Sequence, residues 1–396
     1  MIKPFIKKHI SKNLFAFLKN NFNIIKSVFK KPINNFFKKN NYKSVLLSYL
    51  RRPFIEGVKH YHTNNQECFY AAMIFDELNY NVDIVEYDYT GNIDYSKYDV
   101  IYGFGWPLVN RFLNNTDKKI VSIYYATGME DSYNNFMSLK RIKEFYNKKN
   151  RYVLSSARLE RNLFTEQLVL VDAIITLGNA MAAETYKSFF NKVYNLPSFF
   201  YKTKDYREIL ANKNFIDSRK KFLWFGSGGL IHKGLDILLE IFASRKDIDL
   251  HICGPVEKES EFVDLYCNEL YRTNNIHCHG FIDINSSKFV EILSQCAFCI
   301  YPTCGEGGSP AVLTTVGNGG LIPVVTKEAT VEIGNFGVLI SDISLESVAK
   351  AIDNCVNLSE SELAAQSLAA GEYVNNNNSS EIYYVNLKKI ISDILK

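Results

Sequence analysis

Glu306 is a lone carboxylate in a glycine-rich turn, Pro302-Thr303-Cys304-Gly305-Glu306-Gly307-Gly308-Ser309-Pro310. The apolar run Ala297-Phe298-Cys299-Ile300-Tyr301 leads into that turn and reads as a buried strand. Pro310 opens a short helical stretch over 311–316, with Ser309 as its expected N-cap and the proline at N1. The first amides of such a helix lack internal partners and lie at the positive end of its dipole, a natural seat for an anion. Two glycines just upstream let backbone approach a ligand without side chains in the way. One acid beside an anion-binding helix start suits a diphosphate-linked sugar: amides for the phosphate, a carboxylate for the sugar hydroxyls. The same spacing also describes a plain strand–turn–helix carrying a solvated glutamate.

A second candidate loop, Gly226-Ser227-Gly228-Gly229, follows the apolar run Lys221-Phe222-Leu223-Trp224-Phe225 and precedes Lys233-Gly234. It fails as a dinucleotide fingerprint, because Ile231 occupies the third glycine position. It also fails as a P-loop, since no Ser or Thr follows Lys233-Gly234 in the required place. An amide-rich loop with one lysine still suits a diphosphate, with the lysine acting as a point charge.

These loops need strands and helices to hold them. In the first half, strand signals fall at 44–49, 82–87, 100–104, 120–125, 173–177 and 193–196. A helix is predicted over 65–79, with Thr63 or Asn64 as cap and Glu67 in reach for a capping box. Residues 202–219 read as an irregular linker. In the second half, strands at 221–225, 250–253, 277–280, 297–301, 321–325 and 338–340 alternate with helices, 375–378 is a polar break, and 383–395 is a closing helix. Such alternation predicts an α/β fold with two parallel sheets, ligands lying beyond the strands' carboxyl ends. In the first half those ends carry the loops 51–63, 103–107, 127–131 and 178–179.

A chain of 396 residues with 47% hydrophobic and 22% charged residues is an ordinary globular protein, long enough for two cores. Its net charge of +4 is unevenly spread. No acid precedes Glu56, while lysines are dense from Lys3 to Lys43, so the remainder carries an excess of acid. Apolar residues from Ile6 to Phe29 fall at helical spacing with lysines opposite, the pattern of an amphipathic helix lying on an anionic membrane surface. The apolar runs are too short to span a bilayer. The stripe lacks arginine and leads into no nucleic-acid module, so nucleic acid is not an expected partner. The eight cysteines, several inside apolar runs, and a start too basic for a secretory signal predict reduced thiols in a cytoplasmic protein at the inner membrane face. Cys296 and Cys299 form one CxxC pair without a partner pair, so no structural metal is expected.

From about Phe222 to Asn357 the chain resembles the retaining glycosyltransferases of family 4. The resemblance rests on FGSGGLIHKGLDILL, LHICGP, IHCHGFI and YPTCGEGGSPAVLTTVGNGGLIPVV, in that order. In the first half, YYATGMEDSYNN and DAIITLGN look like acceptor-domain segments of bacterial members. The resemblance implies a GT-B architecture of two facing Rossmann-like domains. A basic arm would occupy 1–42, an acceptor domain 43–200, a linker 201–219 and a donor domain 220–374, with the helix over 380–396 packing back on the acceptor domain. It implies that Lys233 contacts the donor diphosphate and Glu306 a hydroxyl of the donor sugar. Gly226, Ser227, Gly228 and Gly229 would face the diphosphate, and Gly307, Gly308 and Ser309 would line the sugar–phosphate pocket. On the acceptor side it points to Thr127, Gly128 and Glu130, and the loop histidines His60 and His62 are further candidates.

Three positions depart from the family pattern. Thr314 stands where a second glutamate usually holds the ribose, Ser227 and Gly228 where a loop arginine is usual, and Met129-Glu130 where a histidine often follows Ala-Thr-Gly. The expected activity is transfer of a sugar, with retention, from a nucleotide-diphosphate sugar to a glycan or lipid-linked acceptor in bacterial surface polysaccharide synthesis. No cofactor or metal is expected. A GT-B nucleotide-sugar epimerase and a non-catalytic nucleotide-sugar- or membrane-binding subunit are the alternatives.

Overall fold

The structure, a computed structural model, describes residues 31–60, 62–114 and 117–396. The amphipathic stretch expected over 6–29 lies outside the described residues. The chain divides into two compact units. One runs up to Tyr125 and takes in Phe164–Ile174 and Ile394–Lys396; the other holds Ala126–Leu163 and Ile175–Asp393.

Twelve strands form two six-stranded parallel sheets among the described residues. The first contains β1 (Lys43–Tyr49), β2 (Tyr80–Glu86), β3 (Val100–Gly103), β4 (Val121–Ala126), β5 (Ala173–Leu177) and β6 (Val193–Leu196), in the order β2-β1-β3-β4-β5-β6. Its strands are buried on both faces, as Val45, Leu46 and Leu47 show, which is why they read as continuous apolar runs. At its carboxyl end, Glu67 on the helix Asn64–Glu77 accepts hydrogen bonds from Tyr49 Oη at 2.8 Å and Tyr125 Oη at 3.1 Å. The capping box expected there does not form. Thr63 has helical backbone (φ −62°, ψ −29°) and makes no side-chain cap, and Glu67 is turned to the two phenols.

The second sheet contains β7 (Lys221–Phe225), β8 (Asp249–Cys253), β9 (Ile276–Gly280), β10 (Phe298–Tyr301), β11 (Ile322–Thr326) and β12 (Val338–Ile340), in the order β12-β11-β10-β7-β8-β9. The chain runs outward from β7 to β9, then returns to the other side of β7 at β10. Neighbouring strands whose connections leave in opposite directions open a crevice at their carboxyl ends. The turns of Gly226 and Glu306 emerge at this place. Phe222 and Phe298 share a register position and stack at 4.8 Å, locking the two strands together.

Two stretches differ from the sequence reading. Residues 202–219 are not irregular: the helices Tyr206–Ala211 and Phe215–Ser218 bury Tyr206, Ile209 and Ser218. The expected polar break at 375–378 is instead the end of a long helix, Glu360–Asn377. Its asparagines fold back onto carbonyls, Asn375 Nδ2 donating to Gly317 O and Gly371 O, so polar side chains complete a helix end that composition alone reads as loop.

Candidate active site

Lys233 and Glu306, 73 positions apart, meet at the β7–β10 crevice. Lys233 Nζ lies 2.9 Å from Glu306 Oε1, with the two side chains 4% and 9% exposed. The lysine is delivered by a tight turn. Trp224, fully buried, donates from Nε1 to the Lys233 carbonyl at 3.2 Å. Gly234 follows at φ +67°, where an added Cβ would fall 2.3 Å from Pro302 O. Only glycine allows the two turns to approach this closely.

Glu306 gathers further donors. Tyr301 Oη donates to Oε1 at 3.0 Å. Arg158 Nη1 lies 3.3 Å from Oε1 and 3.2 Å from Oε2. Burial alone raises the Glu306 carboxyl, yet Lys233, Arg158 and His232 overcome it and hold the group down at about 2. Burial in turn lowers the Lys233 ammonium, with Glu306 opposing. Glu306 is therefore a carboxylate at neutral pH, with Lys233 and Arg158 beside it.

Arg158 has no counterpart in the sequence reading. Its backbone is pinned by the helix Asp131–Lys149: its amide donates to Ser138 Oγ at 3.0 Å, and its carbonyl accepts from Asn134 Nδ2 at 2.9 Å. Its aliphatic stem crosses Gly229, where an added Cβ would come within 2.5 Å of Arg158 Cγ. His232 supports the turn from below. Its Nε2–H donates to Gly305 O at 2.6 Å, leaving Nδ1 to accept from Ser138 Oγ at 3.0 Å. Burial, then Arg158, lower this imidazole to about 4, so it is neutral.

The expected phosphate-binding amides are divided between bonded and unbonded groups. The amides of Gly229 and Leu230 both donate to the carboxylate of Glu259, which also takes the Ser156 hydroxyl. Gly226 N donates to Cys253 O at 2.9 Å, and Gly308 N to Thr330 Oγ1 at 2.7 Å. The amides of Ser227, Gly228 and Gly307 have no partner among the described residues, and Ser227 and Gly228 are exposed. Ser309 stands at the N-cap position but does not cap. It sits at φ +33°, and its hydroxyl donates to Ala329 O at 2.7 Å, because the turn bends it toward β11. Thr314 is nearly buried and donates to Pro310 O at 2.7 Å, one helical turn back.

Of the acceptor-side candidates, Thr127 and Gly128 join this cluster. An added Cβ on Gly307 would fall 2.1 Å from Thr127 O, so the two turns are in backbone contact. Glu130 is buried and caps the helix Asp131–Lys149 through Tyr133 N at 2.8 Å, which gives it a structural role. His60 and His62 are exposed residues of the other compact unit, and His62 Nδ1 accepts from Asn64 N at 3.2 Å. The Arg158–Glu306 pairing carries no local signal, since the partners are 148 positions apart. The order of the signals around Glu259 and Arg158 could have suggested nothing beyond two surface charges.

Among solved structures the chain is similar to a sucrose-phosphate synthase from Thermosynechococcus elongatus, with a TM-score of 0.61 at 11% identity over 89% of this chain and 99% of that one. The fold is GT-B. Other GT-B structures agree. Anabaena HepE in complex with UDP has a TM-score of 0.56 at 12% identity, covering 89% of this chain and 100% of that one. A glycosyltransferase from Rickettsia africae has a TM-score of 0.55 at 14% identity, covering 90% and 99%. No family model matches the chain, and no curated relative matches it. Among the described residues no helix is long and apolar enough to cross a membrane, and no group of three or more His, Cys, Asp or Glu is arranged to hold a metal ion.

Proposed function

We propose that this GT-B protein is a retaining glycosyltransferase that moves a sugar from a nucleotide-diphosphate sugar to a glycan or lipid-linked acceptor. The observation that carries the reading is Glu306, a buried carboxylate at the switch point of the second sheet, held by Lys233 and Arg158. The carboxylate would accept from a hydroxyl of the donor sugar. A cation beside it would stabilise the departing diphosphate, where most of the charge develops in an oxocarbenium-like transition state. In the transfer, the anomeric carbon–oxygen bond to the diphosphate breaks and a bond to the acceptor oxygen forms on the same face. The acceptor proton leaves with the diphosphate. This mechanism draws on side chains and amides alone.

The acceptor is proposed to be a lipid-linked surface glycan of a bacterium. The support is the basic, acid-free stretch before Glu56, whose 6–29 stripe suits an anionic membrane surface at the cytoplasmic face. Purified protein incubated with radiolabelled UDP-, GDP- and ADP-sugars and membrane extract tests the reading. Label is expected in a lipid or glycan product. Conversion of the donor without an acceptor would support an epimerase instead, and neither transfer nor conversion would support a binding subunit.

A further inference from the structure

Lys233 and Arg158 both bind Glu306, but they are not equivalent. Lys233 is almost completely buried; its ammonium lies against Glu306 and 5.4 Å from the centre of the Tyr301 ring. With 4% of its side chain exposed, it offers little surface to a multiply charged ligand. Arg158 has 48% of its side chain exposed and touches Glu306 through Nη1 only. Its Nε and Nη2 have no partner among the described residues, so the fork keeps donors in hand while anchored.

The backbone narrows the choice further. A phosphate needs donors, and Glu259 occupies two in the glycine loop, the amides of Gly229 and Leu230, leaving those of Ser227 and Gly228. A buried carboxylate in that nest also repels a second anion. The loop from Gly226 to Ile231 contains no cation of its own. Arg158 lies directly over it, because Gly229 has no side chain to block the arginine stem. Its backbone is fixed at both amide and carbonyl, so the guanidinium needs little ordering before it binds.

We propose that Arg158, and not Lys233, is the cation that touches the diphosphate of the donor, while Lys233 is a positioning residue that holds Glu306 as a carboxylate. This assignment rests on the glycosyltransferase reading. A guanidinium binds diphosphate oxygens through paired N–H groups, and one Nη1 contact to Glu306 keeps phosphate and sugar sites in fixed register.

Calorimetric titration of the full chain with UDP, GDP and ADP, and with the matching monophosphates, tests it. Arg158→Ala should weaken binding of whichever diphosphate the wild type takes by about 10- to 100-fold, the worth of a hydrogen bond to a charged group. The monophosphate should lose clearly less, and Arg158→Lys should fall between, keeping charge without the fork. Arg158 is half exposed, so the melting temperature of Arg158→Ala without ligand should stay close to wild type. Unchanged diphosphate affinity in Arg158→Ala overturns the assignment and leaves the transferase reading standing. Equal losses for diphosphate and monophosphate also overturn it, since they mark a merely structural role. Wild-type protein that binds none of the three diphosphates overturns both.

Discussion

Each parallel sheet buries a glutamate at its carboxyl end, and the two are held in opposite ways. Glu67 receives only neutral phenol donors, from Tyr49 and Tyr125. Glu306 receives one phenol and two cations. A carboxyl group held by neutral donors has no cation beside it and offers nothing to an anion. A carboxylate held by two cations sits in a positive field, and can present acceptor oxygens to a sugar while the field receives a phosphate. The difference separates a core polar contact from a candidate site, although burial of a glutamate is common to both.

The largest expected effect of breaking this contrast is on stability. Lys233→Ala leaves the buried Glu306 with Arg158 alone and should cost about 3–5 kcal/mol, the range for removing one partner of a buried ion pair. Thermal unfolding reads this as a clearly lower midpoint. For the same reason Glu306→Ala is a poor probe of chemistry, since it strands Lys233, and Glu306→Gln is preferred.

A pH series gives the next effect. His232 is held at about 4 in the folded chain against an ordinary 6.5, so the unfolded state binds its proton first as pH falls. Stability from this group is therefore complete above pH 6.5 and declines toward pH 4, by at most about 3 kcal/mol. His232→Asn should flatten that slope in denaturant unfolding measured from pH 7 to 4. Glu306, at about 2 against 4.5, adds a later loss that begins below pH 4.5.

The smallest effect belongs to the first sheet. Both phenols donate to the same Glu67 oxygen, so Glu67→Gln keeps them with a weaker, neutral acceptor and should destabilise by about 1 kcal/mol. Transfer activity at a permissive temperature should not change. A large loss of turnover there would erase the contrast.

What could be read in the sequence follows from how local each contact is. The strand–turn–helix around Glu306 and the lysine turn after β7 are encoded by neighbours: an apolar run, glycines, a proline at N1. Their convergence comes from the strand order, with β10 beside β7, which alternation of strands and helices alone does not specify. Arg158 and Glu259 were illegible, because each acts through backbone and side chains brought from other segments. Ser309 and Thr63 both read as caps and neither acts as one: Ser309 sits in the left-handed region with its hydroxyl on Ala329 O, and Thr63 is already helical while two tyrosines take Glu67. The helix Glu360–Asn377 was hidden by its asparagine-rich end, whose side chains find carbonyl partners only in the folded chain.

The most direct measurement sets Glu306→Gln beside Glu67→Gln in the same transfer assay, with the donor that labels an acceptor and at a temperature where both variants remain folded. Turnover should fall about 100-fold in Glu306→Gln, because the amide cannot replace a charged acceptor at the sugar hydroxyl, and stay near wild type in Glu67→Gln. Wild-type turnover in Glu306→Gln would contradict the role given to Glu306.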